Sequence, residues 1–171
     1  MKTLLIISIF GALGLAICQP IYGPITDTNY KHDSAKATLK SITMALEMYN
    51  VQFDSYPPSD PTGTGGSEII WRYLCCPQKV GKNEFPQMLP WSSERFIDAG
   101  NNNKKVVSPL GGDYGYIVLS DKYGAGRGYV LIDPGPDKKL GGRLDPDKGF
   151  IQEEDAVQDN ITAVPIRPAS R

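Results

Sequence analysis

The side chains of this chain best placed to do chemistry are the carboxylates of its C-terminal third. From Asp133 onward come Asp137, Asp145, Asp147, Glu153, Glu154, Asp155 and Asp159, set among glycines and prolines. Loops this rich in oxygen suit calcium, which takes roughly six to eight oxygen ligands from carboxylates and carbonyls. A solvated acidic surface is the other use of the same residues. Asp145-Pro-Asp147-Lys-Gly149 has the opening of an EF-hand, but Phe150 stands where that loop needs its glycine, so an EF-hand is excluded. Carboxylates can also work in pairs on a glycoside, when two flank a cleft and an apolar pocket keeps one protonated. Nothing in the sequence marks such a pocket.

Other catalytic material is scarce. His32 is the only histidine, so any Ser-His-Asp or Cys-His device would have to use it, and it sits in a solvated stretch of lysines and aspartates. Cys18 falls in the apolar N-terminus, whereas Cys75 and Cys76 are adjacent and could bridge only through a strained ring. We read both as reduced and partly buried, and no Cys/His spacing supports zinc. Gly124-Ala-Gly126-Arg-Gly128 lacks the spacing and the following helix of a phosphate-binding turn. Asn160-Ile-Thr162 is a glycosylation sequon by pattern only. A formal charge of -1 and a pI of about 5.8 leave no basic excess for a row of phosphates, which argues against a nucleic-acid partner.

The elements that must position these groups follow from the apolar pattern. A chain of 171 residues holds one domain plus an N-terminal segment, and its 40% hydrophobic residues suffice for one core. We divide it into an apolar segment over residues 1–25 and a globular domain over 26–171. The run TLLIISIFGALGLAIC is uncharged and belongs in a membrane or a translocon. As a helix it would span about 24 Å, short of the roughly 30 Å hydrocarbon core unless flanking residues contribute. It reads either as a retained anchor or as a cleaved signal peptide with Gly14-Leu15-Ala16 as the small-x-small site. A lipoprotein signal is disfavoured by the bulky Ile17 before Cys18.

Beyond it, Ala35, Leu39, Ile42, Leu46 and Tyr49 recur at steps of three and four, one face of an amphipathic helix over about 27–53. Tyr56-Pro57-Pro58 must end it. SEIIWRYLCC predicts a shorter helix over about 67–76, with Ser67 as N-cap, Ile70, Trp71 and Leu74 as its buried stripe, and Pro77 as its stop. Residues 77–104 read as irregular, tacked to the core by Phe85, Met88, Leu89, Trp91 and Phe96. Tyr114–Ser120 and Tyr129–Asp133 are β-rich runs around the glycines of DKYGAGRG and predict an antiparallel hairpin, to which Lys105-Val106-Val107 adds a short strand. The expected class is α+β, a long N-terminal helix packed on a small C-terminal antiparallel sheet, with the sheet and acidic loops over about 105–162.

This order of features resembles the type IV pilin and pseudopilin superfamily, most closely the type II secretion system protein G type, the major pseudopilin. LLIISIFGALGLAICQPIY is similar to the pilin transmembrane half-helix, with Gly11 in its middle and Pro20 near its end. AKATLKSITMALEMYNVQFDSYPPS resembles the family's stem helix with its following tyrosine and prolines, and is the most specific piece. SPLGGDYGYIV is similar to the Asp-Pro-Trp-Gly-Asn-Pro-Tyr segment, with Ser108 for Asp and Leu110 for Trp; YVLIDPGPDKKLGG and QDNIT resemble the Gly-Ala-Asp-Gly loop and the terminal Asp-Ile. The family's processing signature, a glycine followed by Phe-Thr-Leu-Ile-Glu, is absent, and the apolar run carries no glutamate.

The resemblance implies a pilin-like fold and a structural, non-enzymatic role. The subunit would assemble through its N-terminal helix into a homo-oligomeric helical fibre that supports protein secretion, with other pseudopilins and the inner-membrane secretion platform as partners. It would sit in the inner membrane as a single-pass protein with its globular domain in the periplasm. It also implies a structural calcium ion in the C-terminal loops, held by Asp133, Asp137 and Asp159, with Asp155 as rival for the last place. Two readings from other classes stand beside it: a secreted or periplasmic calcium-stabilised binding module whose signal peptide is removed, and a small hydrolase.

Overall fold

The computed structural model describes residues 27–89, 96–98, 104–120, 128–153 and 160–163. Helix α1 spans Asp27–Phe53, about 40 Å at 1.5 Å per residue. Its face is the one the spacing predicts: Ala35, Leu39, Ile42, Leu46 and Tyr49 are all buried, with Thr38, Ala45 and Asn50 beside them. Each fully buried aliphatic side chain on such a face contributes about 1.5–3 kcal/mol. Full burial starts at Ala35; of residues 29–34, His32 and Ser34 are half-buried and the others exposed. The helix ends as Asp54 turns into the left-handed region at φ 53°, a conformation in which aspartate is among the better-tolerated non-glycine residues.

Tyr56 and Pro57, just beyond, clamp the helix to the sheet. Tyr56 is buried, stacks edge-on against Tyr129 with ring centroids 4.8 Å apart, and donates its hydroxyl to Glu47 on α1 at 3.0 Å. The Pro57 carbonyl accepts the buried Tyr116 hydroxyl at 2.9 Å. The loop beyond runs along one sheet edge, where Ser59 Oγ accepts the Val118 N–H at 2.9 Å and the Gly63 carbonyl accepts the Tyr116 N–H at 3.0 Å. That edge is therefore covered and its donors satisfied.

Helix α2, Gly66–Ile70, passes directly into a π-helical turn at Trp71–Cys75. Ser67 is not its cap. Gly65 occupies that position without a side-chain bond, and the buried Ser67 Oγ instead accepts the Tyr114 N–H at 2.8 Å. The partner lies 47 residues away, so local spacing could not reveal it. Ile70 and Leu74 are buried as expected, and Trp71 is half-buried. The Leu74 carbonyl, free of a helical partner, accepts the Met88 and Leu89 N–H groups at 2.8 and 2.9 Å.

Nine short strands follow among the described residues. β1 (Gln78–Val80) and β2 (Asn83–Phe85) form a hairpin, and β3 (Phe96–Asp98) pairs with β4 (Lys104–Val106). β1, β2 and β3 lie within the stretch read as irregular; their runs of three residues are too short for a period-2 signal. Leu89 is buried, and Met88 packs on the core as expected; Trp91 lies outside the described residues. The expected strand at 105–107 exists as β4, but it joins β3 and not the main sheet.

The main sheet runs β5 (Gly115–Val118), β6 (Tyr129–Asp133), β9 (Ile161–Ala163), antiparallel throughout, with Tyr116 opposite Leu131 and Ile132 opposite Thr162. Side chains alternate across β6. Tyr129 and Leu131 join α1, Tyr56 and Tyr116 in one cluster. Val130 and Ile132 join Ile117, Leu119 and Leu144 in a second one on the opposite face. That second face is covered by the hairpin β7 (Gly142–Asp145) and β8 (Gly149–Gln152), which occupies the acidic region expected to be loop. The result is an α+β domain with one long helix and small antiparallel sheets.

Candidate functional site

Asp133, the last residue of β6, shares the helix-facing side of the sheet with Tyr129 and Leu131, and it is fully buried. Its Oδ2 accepts the Ser108 hydroxyl at 2.7 Å and its Oδ1 accepts the Gly135 N–H at 3.1 Å. Ser108 Oγ in turn accepts the Leu110 N–H at 3.0 Å. The two turns that resemble family motifs, Ser108-Pro-Leu-Gly and Asp133-Pro-Gly, are thus joined by one buried carboxylate. Burial raises the Asp133 carboxyl pKa, while the Ser108 and Gly135 hydrogen bonds and the nearby His32 pull it back down. Ser108 was visible in the sequence only as a stand-in for aspartate; its pairing with Asp133 spans 25 residues.

Asp137 is placed differently. It is exposed, and its Oδ1 accepts the Lys139 N–H at 2.8 Å within its own turn. Asp145 caps the β7–β8 turn by accepting the Asp147 and Lys148 N–H groups at 2.9 and 3.0 Å. Asp155 and Asp159 lie outside the described residues. Among the described residues no three His, Cys, Asp or Glu side chains gather as a metal centre. Asp133 already has both oxygens engaged and no access to solvent, so the described donors fit a hydrogen-bonded corner better than a calcium cage. A cleft of about 400 Å³ is walled by Lys105, Asp113 and Lys138 among others. Lys105 is paired with Asp113 at 2.7 Å, so this cleft presents no concentrated negative charge to a cation.

The Asp133 corner yields a pH signature. A carboxyl whose folded pKa is raised contributes stability that is fully present below its ordinary value near 3.8 and is lost as pH rises through the raised one. Asp133→Asn, which keeps the shape and one acceptor and needs the Ser108 hydroxyl to turn and accept from its amide nitrogen, is expected to gain on wild type as pH rises from about 4 to 7. Asp133→Ala strands the Ser108 and Gly135 donors and is expected to cost about 1–3 kcal/mol across the range. Thermal melts of the three proteins at several pH values check both; parallel curves for wild type and the asparagine variant would remove the carboxyl from the buried corner.

The cysteines hold no reactive pair. Both described cysteines are free, Cys75 buried and Cys76 half-buried. Burial, with the neighbouring Cys76 adding to it, pushes the Cys75 thiol up to about 12, so it stays protonated and non-nucleophilic at neutral pH. Gly124 and Gly126 of the glycine-rich turn lie outside the described residues. Comparison with protein-family models, curated proteins and solved structures finds no match to this chain.

Proposed function

We propose that this chain is a pilin-like structural subunit, held in the inner membrane by its N-terminal apolar segment and assembled into a type II secretion or type IV pilus-like fibre with its globular domain in the periplasm. The observation that supports this best is α1 itself. It follows the apolar stretch in the sequence and packs one face on an antiparallel sheet. An element so arranged can carry a folded head beyond an anchored segment. Partners in this reading are further copies of the chain, other pseudopilins and the membrane platform, and no covalent chemistry is required of any residue. No helix among the described residues is long and apolar enough to cross a membrane; the segment proposed as anchor lies outside them.

A structural calcium ion belongs to the same proposal, with Asp137 as its exposed carboxylate, Asp155 and Asp159 as further donors, and Asp133 bracing the turn from behind. An ion bound only by the folded state stabilises it by about 2.7 kcal/mol at a hundredfold excess over Kd.

The test is the fate of the N-terminus. The native protein is expected to remain with membranes through high-salt washing, and mass spectrometry is expected to find residues 3–18 still attached. A wholly soluble protein beginning at Ile17 or Gln19 would favour the secreted binding module instead. Melting the full chain in calcium and in chelator tests the ion: Asp137→Ala is expected to abolish the difference, and identical wild-type melts would reduce the carboxylates to surface charge.

A further inference from the structure

The cleft of about 400 Å³ lies between two turns that are fixed to each other. One wall is the turn after Val107, where the Gly111 N–H donates to the Ser108 carbonyl at 2.8 Å and the Gly112 carbonyl accepts the Ser108 N–H at 3.0 Å. The other is the turn beyond β6, which carries Lys138 and Leu140. The Ser108 hydroxyl on the Asp133 carboxylate joins them, and Pro134 packs so closely on Gly112 that a Cβ there would lie 2.3 Å from its Cγ. The cleft is thus formed before anything enters it, and its volume is that of a small-molecule site.

Lys138 gives this cleft its charge. It has φ 62°, a left-handed conformation that lysine adopts rarely and at a cost, and such outliers gather at functional sites. Its stem crosses bare Gly111: a Cβ on that glycine would sit 3.2 Å from the Lys138 Cε and 3.4 Å from its Nζ. Among the described residues the ion pair of this cleft is Lys105 with Asp113, which leaves the Lys138 ammonium without a carboxylate. The two lysines and the one aspartate sum to a single positive charge, and half-buried Val107 and Leu140 add apolar wall. The geometry points to a binding site for a monocarboxylate with a short apolar tail, its carboxylate on the Lys138 ammonium and its tail against Val107 and Leu140. One such group neutralises the cleft, whereas a phosphate dianion brings a negative charge too many. A free organic acid and the C-terminal carboxylate of a peptide both present this group. The cleft belongs to the folded head, so it stands whether or not the chain assembles into a fibre.

Titration of the full-length, isotope-labelled chain in non-ionic detergent and calcium-free buffer, followed through the amide signals of Thr64, Gly111 and Gly112, tests this. Butyrate is expected to move these signals to saturation, and butylammonium to leave them in place. Lys138→Gly keeps the turn, because glycine adopts a positive φ freely; it is expected to weaken butyrate about threefold, the size of one exposed charge pair. Added sodium chloride is expected to weaken butyrate in the wild type, by screening the same charge. Acetyl-Gly-Leu with a free carboxylate, set against its amide, separates the two sources while the carboxylate site stands in either case. Binding tighter than butyrate and lost in the amide assigns the cleft to a chain terminus; weaker or equal binding assigns it to a free acid. Signals that ignore butyrate, an unchanged affinity in Lys138→Gly, tighter binding of inorganic phosphate, or a response that appears only when calcium is added would each overturn the assignment.

Discussion

Leu46→Asp is expected to leave the chain without a folded domain, whereas Met48→Asp, two residues further along the same helix, is expected to melt like wild type. Leu46 is 1% exposed and sits among Tyr49, Tyr129 and Leu131 where α1 meets the sheet. Truncating such a leucine to alanine already costs about 2–5 kcal/mol. An aspartate adds the cost of a buried carboxyl with no partner built for it, which either ionises at great expense or takes up a proton and still lacks a hydrogen bond. Against a total stability of about 5–15 kcal/mol, the sum is enough to unfold most domains of this size. Met48 is 56% exposed, so the same substitution there meets water. Circular dichroism melts of both full-length variants decide the matter; a cooperative, wild-type-like transition for Leu46→Asp would remove this face of α1 from the core.

Gly66→Ala is expected to be among the most damaging single methyls in the described residues. Its backbone conformation is ordinary, so the need for glycine comes wholly from a close approach. A Cβ there would lie 2.3 Å from the Tyr114 carbonyl oxygen, 2.8 Å from the Tyr116 nitrogen and 2.9 Å from the Tyr116 Cβ. Two of these are main-chain atoms at the start of β5, which is held by Ser67 Oγ on one side and by the Gly63 carbonyl on the other. Neither can step aside without breaking a buried hydrogen bond. Overpacking costs about 1–3 kcal/mol where side chains can shift, and here the start of the sheet must move, so a loss at or above the upper end is expected, roughly 10 °C in melting temperature. Gly81→Ala is the contrast. Gly81 has φ 62° but nothing within 4 Å of a Cβ, so its alanine pays only the left-handed strain of about 1–2 kcal/mol. If the two variants lost equal stability, the docking of α2 on β5 would not be as tight as these distances require.

Of the candidate site, the sequence disclosed the carboxylates but not their use. Asp133 and Asp137 look alike in the string DPGPD, yet one is sealed beneath the helix and holds two turns together while the other faces water. Asp133 is the last residue of β6, on the face that α1 covers, whereas Asp137 lies beyond the strand in an exposed turn. Met44, Met48 and Val51 of α1 are apolar by type, and only the packing of the helix's other residues against the sheet leaves them outside.

What the sequence determined alone is whatever rests on local repetition or on residues that forbid an alternative. The three-and-four spacing set α1 and its buried face, Pro57 and Pro58 set its end, and the two β-rich runs around a glycine-rich turn set the β5–β6 pairing. What only the tertiary structure decided is every feature whose partner lies far along the chain. The hydroxyl of Ser67 went to Tyr114 and not to its own helix. β4 paired with β3 instead of joining the main sheet, and the β7–β8 hairpin closed the second face of β6. A hydrogen bond across 47 residues, or a strand of three, leaves no periodic trace in a sequence. It forms because a buried donor must be satisfied by whichever acceptor the packed chain brings to it.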